Sequence, residues 1–388
     1  MDVLSFTTLF PNPSRPRHGL FVARRLAALA ALGVGLRVVA PVPRPVLHAR
    51  LLRGYAVREE VAAETCWQGL PAVHPRYPMA PGFGLIQFRL LARAAAPTVD
   101  RLVAERRPRL IDAHYLYPDG VAAALLARRL GLPLVLTARG SDVNYILKLP
   151  GYRGRILRAL ERAAAIITVS QALKEALIAA GVDPARIVTI RNGVDTAFFR
   201  PGDRAAARAA LGWPQQGPVL LAVGQLVALK RHRLLLPLLR ALPEARLVII
   251  GEGPLKPVLE AEAGAAGVGD RVALPGGWPP EHVALAYRGA DVLLHPSERE
   301  GIPNVVLEAL ASGLPTVAAP VGGIPEILPP EPAGILVDPE DPAALAAAVR
   351  RVLAARPAPE MVRAAVAGLS WEACARQVHA VFARIAGR

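Results

Sequence analysis

The chain has 388 residues, 53% of them hydrophobic, and a formal net charge of +15. That length exceeds the size at which one core usually divides, and the apolar content supplies two cores, which excludes a small stapled scaffold and a disordered tail. The only cysteines, Cys66 and Cys374, are far apart with no metal-ligand spacing, so a reducing compartment is expected, without a disulfide framework or a metal site.

In chain order, the runs 3–10 (VLSFTTLF), 36–40, 110–114 (LIDAH), 132–138, 165–170 and 186–190 read as strands, with helices over 20–32, 121–130 and 171–180. The opening segment lacks a basic region and its short apolar run ends in proline, so it reads as the first strand and not as a signal peptide. The apolar stretch 26–36 falls far short of the roughly 20 residues of a membrane span. Segment 192–203 (NGVDTAFFRPGD) carries the turn residues of a linker. A second run of strands then follows at 219–224, 246–251, 271–276, 291–296, 314–320 and 334–338. Alternation of this kind implies parallel sheets covered on both faces. The expected domains are 1–195 and 200–369.

Charge is unevenly spread. Residues 1–200 hold 28 Lys and Arg against 13 Asp and Glu, whereas residues 201–388 hold 18 of each. A basic first half concentrates anionic partners, including an anionic membrane surface. Within it, segment 151–164 sets Arg155, Arg158 and Arg162 beside Ile156, Leu157 and Leu160 at helical spacing. That segment is either a helix lying in a headgroup region or an ordinary surface helix. The basic residues lack interleaved aromatics, so no nucleic-acid partner is expected.

The segment 295–326, HPSEREGIPNVVLEALASGLPTVAAPVGGIPE, carries the most chemistry. It sets Glu300 on a loop, Pro303 at the first position of a helix, Glu308 inside that helix, and Gly322 and Gly323 after the next strand. Unpaired amides at Gly301, Ile302 and Asn304 would favour an anion, with Pro303 among them supplying φ but no N–H. Two carboxylates nearby accept hydrogen bonds from sugar or ribose hydroxyls. The combination suits a sugar nucleotide.

Glu300 and Glu308, eight positions apart, resemble the E-x7-E signature of retaining glycosyltransferases of family 4. Segments FPNPSRPRHGLFVARRL, DAHYLYPDG (112–120), LTARGSD (136–142), IRNGVDTAFFRP (190–201) and LAVGQLVALKR (221–231) carry the resemblance along nearly the whole chain. It implies the GT-B fold, an α/β architecture of two Rossmann-like domains facing a central cleft. The first domain would handle the acceptor, the second would bind the donor, and a final helix at about 370–388 would pack back on the first.

The resemblance also assigns roles. Lys230 matches a lysine that neutralises the donor pyrophosphate. Gln225 stands where an arginine is usual, so either Arg231 substitutes or the site has one cation fewer. Glu300 matches the residue that contacts donor-sugar hydroxyls, and Glu308 the one that binds ribose. His114 matches a histidine near the donor sugar and the acceptor. Arg139 and Asp142 resemble acceptor-facing residues, although Asp142 equally suits a helix N-cap. Gly19 stands where relatives carry two glycines beside the donor phosphate, and Arg15, Arg17 and His18 on that loop can meet a charged acceptor. Gly276, in the loop 275–278 (PGGW), resembles the segment whose backbone reads the base.

No metal or cofactor is expected beyond the donor, a UDP- or GDP-linked sugar. The implied reaction is retaining, metal-independent transfer to a lipid-linked or cell-envelope glycan acceptor. The expected location is the cytoplasm, peripheral at the inner face of the cell membrane. The wording of segments such as EGIPNVVLEALASG is similar to the exopolysaccharide and teichuronic-acid branch. Two alternatives stand beside this: another reaction on the same scaffold, such as a phosphorylase or epimerase, and a non-catalytic partner subunit.

Overall fold

The computed structural model describes residues 1–46 and 61–387. The chain divides into two compact units, Met1–Asn192 with Trp371–Arg388, and Gly193–Ser370.

Among the described residues, ten strands belong to the first unit: β1 (Asp2–Phe6), β2 (Gly35–Val39), β3 (Val42–Pro45), β4 (Glu64–Trp67), β5 (Leu70–Val73), β6 (Arg76–Met79), β7 (Leu110–His114), β8 (Leu134–Ala138), β9 (Ala165–Thr168) and β10 (Ile187–Thr189). Eight of them form one sheet in the order β10-β9-β8-β7-β1-β2-β5-β4, parallel except for the β4–β5 pair. Strands β3 and β6 pair separately. The sequence reading anticipates the long parallel strands and misses β3 to β6. Those are four-residue pieces, and prolines such as Pro43, Pro71 and Pro78 sit inside three of them, which argues against a strand. Strand β1 is also shorter than the predicted run, ending at Phe6.

A helix at Gln87–Glu105 is missed for a related reason: Pro97 lies inside it. Its buried residues Phe88, Leu91, Ala92, Ala95, Val99 and Leu102 keep helical spacing on either side of that proline. The last helix, Trp371–Ala386, turns Cys374, Ala375, Val378, Phe382 and Ile385 into the core that Val22, Leu26 and Leu29 of helix Leu20–Ala31 also enter. In helix Arg153–Arg162, Ile156 and Leu160 are fully buried. Its apolar face is therefore spent on internal packing, and the ordinary surface-helix reading of segment 151–164 is the one the structure supports.

The second unit holds β11 (Val219–Val223), β12 (Arg246–Ile250), β13 (Val272–Gly276), β14 (Val292–His295), β15 (Thr316–Ala318) and β16 (Gly334–Leu336). They make one parallel sheet in the order β13-β12-β11-β14-β15-β16. Each sheet therefore reverses direction once, between β1 and β7 in the first unit and between β11 and β14 in the second. Open sheets of this kind bind ligands outside the carboxyl ends of the strands at that reversal. No helix among the described residues is long and apolar enough to cross a membrane.

Candidate active site

In the second unit the reversal point gathers three charged or polar side chains. Lys230 ends a short turn, Ala228–Lys230, that follows β11, and Glu300 follows β14. Lys230 Nζ donates to Glu300 Oε1 at 2.6 Å. His295, the last residue of β14, brings its Nε2 to the same oxygen at 2.9 Å. The backbone N–H of Glu298 donates to the Leu229 carbonyl at 2.9 Å, tying the two loops together. Burial pushes the Glu300 carboxyl up, but the His295 hydrogen bond and the Lys230 charge outweigh it and hold the group at about 2. Glu300 is therefore ionised at neutral pH. Beside Lys230 lies His232, lowered to about 4 by burial and by the charges of His295 and Lys230, and so neutral.

The loop bearing Glu300 is set by contact with a neighbour. Gly322 has φ +56°, and a Cβ there would stand 2.0 Å from the Glu300 carbonyl oxygen. The next residue, Gly323, donates its N–H to the Gly301 carbonyl at 2.7 Å. Gly322 thus has a packing reason: the turn after β15 presses on Glu300 and bonds to Gly301. Gly301, Ile302 and Pro303 are buried, and the helix runs Asn304–Ala311. Pro303 has ψ 116° and so precedes the helix as its cap, one position earlier than the sequence suggests. Glu308 accepts a hydrogen bond from the buried Tyr287 hydroxyl at 3.2 Å.

Other donor-side candidates fall nearby. Gln225 is exposed on the loop after β11. Arg231 follows Lys230 in a left-handed backbone conformation, φ +50°, and its guanidinium pairs with Glu340 at 2.9 Å and Glu298 at 3.8 Å. It is held by carboxylates. Gly276 is the last residue of β13 and not part of a loop, and Trp278 beyond it stacks on Trp213 at 6.3 Å, which is a packing role.

In the first unit the strand-end groups are more deeply enclosed. His114 ends β7 and is fully buried. Asp112, two residues earlier and hence on the same face, lies 3.2 Å from His114 Nε2. Arg139 donates to His114 Nδ1 at 2.9 Å. A guanidinium can only donate, so Nδ1 is the accepting nitrogen and the proton sits on Nε2, facing Asp112. Burial is the largest cause lowering His114, to about 4, so the ring is neutral. Arg139 also donates to Asn192 Oδ1 at 3.0 Å and lies 5.2 Å over the Phe21 ring; burial lowers it to about 9, leaving it charged.

Asp142 is neither the N-cap nor an acceptor-facing carboxylate. It sits in the first turn of a short helix, fully buried, and accepts from the backbone N–H groups of Leu116, Arg139, Gly140 and Val143. It staples the loop after β8 to the loop after β7. Asp119 does the same for the loop after β1, accepting from the Thr8 N–H at 2.7 Å and the Thr8 hydroxyl at 2.9 Å, while burial pushes it up to about 7. Gly19 belongs to that loop. With φ +67°, a Cβ on it would fall 2.2 Å from the Leu9 carbonyl carbon, so the position requires glycine. His18 Nε2 lies 3.1 Å from the Thr8 carbonyl.

Sequence reasoning missed His295, His232, Asp112 and Tyr115. Tyr115 follows His114 with φ +81°, an uncommon conformation for a non-glycine residue and one that clusters at functional sites. Asp112 had a signal, the two-residue strand period linking it to His114. His295 had one as well, a polar residue closing an apolar strand.

Two mainly parallel sheets, with a charged cluster at the reversal point of the second, fit the GT-B architecture, and comparison with known proteins specifies the family. Residues 19–198 match Glycosyltransferase Family 4 and residues 203–367 match Glycosyl transferases group 1. The chain belongs to this family of glycosyltransferases. It is 36% identical over 296 residues to a D-inositol 3-phosphate glycosyltransferase of Segniliparus rotundus, covering 69% of this chain and 64% of that one. It is 29% identical over 363 residues to the putative teichuronic acid biosynthesis glycosyltransferase TuaC of Bacillus subtilis, covering 90% and 89%. Among solved structures, sucrose-phosphate synthase from Thermosynechococcus elongatus superposes with a TM-score of 0.80 at 23% identity, covering 99% and 98%. The Anabaena protein HepE in complex with UDP and glucose gives 0.74 at 20%, covering 98% and 99%. At those identities the structures speak to the fold.

Proposed function

We propose that the protein is a retaining, metal-independent glycosyltransferase. It moves a hexose from a UDP- or GDP-sugar to a lipid-linked or cell-envelope polysaccharide acceptor at the inner face of the cell membrane. The observation that carries the reading is the contact of Lys230 with an ionised Glu300 at the reversal point of the second sheet. In the reaction Lys230 neutralises the departing diphosphate, an electrostatic contribution that is large in a water-poor site. Glu300 accepts hydrogen bonds from the sugar hydroxyls and Glu308 from the ribose. In the first unit Arg139 is the charged group nearest His114. His114 serves through its contact with Arg139, since both its ring nitrogens face protein groups and it stays neutral. The name of TuaC and the UDP complex of HepE support a nucleotide-sugar donor and a polysaccharide product.

Incubation with UDP-, GDP-, ADP- and dTDP-sugars, with and without a bacterial lipid extract, tests this. Release of nucleotide from one donor, rising with lipid and unaffected by a chelator, is the expected result. Transfer to inorganic phosphate, or an epimerised sugar, would replace it with another reaction on the same fold. Nucleotide binding without turnover in any mixture would make the chain a non-catalytic partner.

A further inference from the structure

Glu300 Oε1 receives two partners, Lys230 Nζ at 2.6 Å and His295 Nε2 at 2.9 Å. The three side chains are largely enclosed, at 20%, 12% and 3% exposure for Lys230, Glu300 and His295. Resting on the donor-site reading above, this has a physical difficulty. The cation meant for the diphosphate is neutralised by the carboxylate meant for the sugar. When Lys230 turns to a phosphate it leaves an enclosed carboxylate, and an enclosed charge that loses its cationic partner is destabilised. We propose that His295 is a positioning residue that keeps a hydrogen bond on Glu300 while Lys230 transfers from the carboxylate to the donor diphosphate. His295 is suited to this by its place as the last residue of β14, where the strand fixes its backbone and the ring is buried. Its Nε2 must donate, because the carboxylate it meets is ionised. The charged or titratable groups around it are Glu300, Lys230 and His232.

The exchange makes a prediction that a purely structural role does not. Binding of UDP and of GDP is measured by calorimetry for the wild type, H295A, H295Q, E300Q, the double variant H295A/E300Q and K230A. H295A should weaken binding of the preferred diphosphate about tenfold, within the range of coupling between contacting residues. In the E300Q background, which has no charge to shelter, the same substitution should cost less than about twofold. H295Q, whose side-chain amide can donate from about the position of Nε2, should stay within about threefold of the wild type. The loss in H295A should be smaller for the intact nucleotide sugar than for the diphosphate, because sugar hydroxyls also donate to Glu300. Equal losses from H295A in both backgrounds, no loss in either, or an H295Q as impaired as H295A would each overturn the proposal. A K230A that binds the diphosphate as well as the wild type would overturn the donor-site reading itself, and this inference with it.

Discussion

The two units meet the same topological problem with opposite investments. Each gathers polar side chains where its sheet reverses, but in the first unit they are spent inward. Asp142 is consumed by four backbone amides, Asp119 by Thr7 and Thr8, and His114 by Asp112 and Arg139. In the second unit Lys230, Glu300 and His295 bond chiefly to one another, through charges that a ligand can rearrange. The difference teaches where to expect stability effects and where to expect activity effects. Buried carboxylates that hold backbone define loops; paired charges at a strand end are the ones proposed to meet the ligand.

The largest separation should come from the second unit. K230A and E300A should each lower transfer by about 10³-fold or more, the scale of losing one preorganised electrostatic partner, while remaining folded. Steady-state kinetics alongside calorimetry checks this, and near-normal turnover in either variant would remove that residue from the mechanism. The first unit should behave the other way. D142A leaves four backbone N–H groups of two loops without their acceptor, and should cost about 3–5 kcal/mol of stability, seen in denaturant unfolding.

Acid should expose the enclosed histidines. His114 and His232 are both held near 4, below the ordinary 6.5, so folding favours their neutral forms. Their contribution is complete above about pH 6.5 and is lost as pH falls toward 4, at about 2–3 kcal/mol each. Unfolding free energy measured across that window should fall less steeply in H114Q and H232Q than in the wild type. Asp119, raised to about 7, acts in the opposite direction, since protonation suits its buried site. D119N should therefore steepen the loss between pH 7 and 4. The smallest effect is expected at Arg231, a non-glycine at φ +50° whose exposed ion pairs offset about 1 kcal/mol of backbone strain. R231G should leave unfolding free energy within about 1 kcal/mol of wild type.

Much of the fold was legible because parallel strands buried on both faces read as continuous apolar runs, as in LVLTA of β8 and RLVII of β12. Proline hid most of what was missed, both in β3, β5 and β6 and in helix Gln87–Glu105, where packing overrides local preference. In the site, the family resemblance marked Lys230, Glu300 and Glu308. It could not show that Lys230 and Glu300 touch, because they are 70 residues apart in the chain. Nor could it separate a carboxylate aimed at ligand from one aimed at backbone, and so Asp142 suited both an acceptor-facing role and a helix cap. Residue type fixes what a group can donate or accept; only the fold decides to whom.

The contact between Gly322 and the Glu300 backbone makes the turn after β15 a gauge block for the loop bearing Glu300. Its thickness is set by the absence of one carbon atom. A methyl group at position 322 would act as a shim, displacing Glu300 from Lys230 and His295 while leaving all three side chains chemically intact. The spacing of the three charged and polar groups is thus adjustable from a residue with no functional group at all.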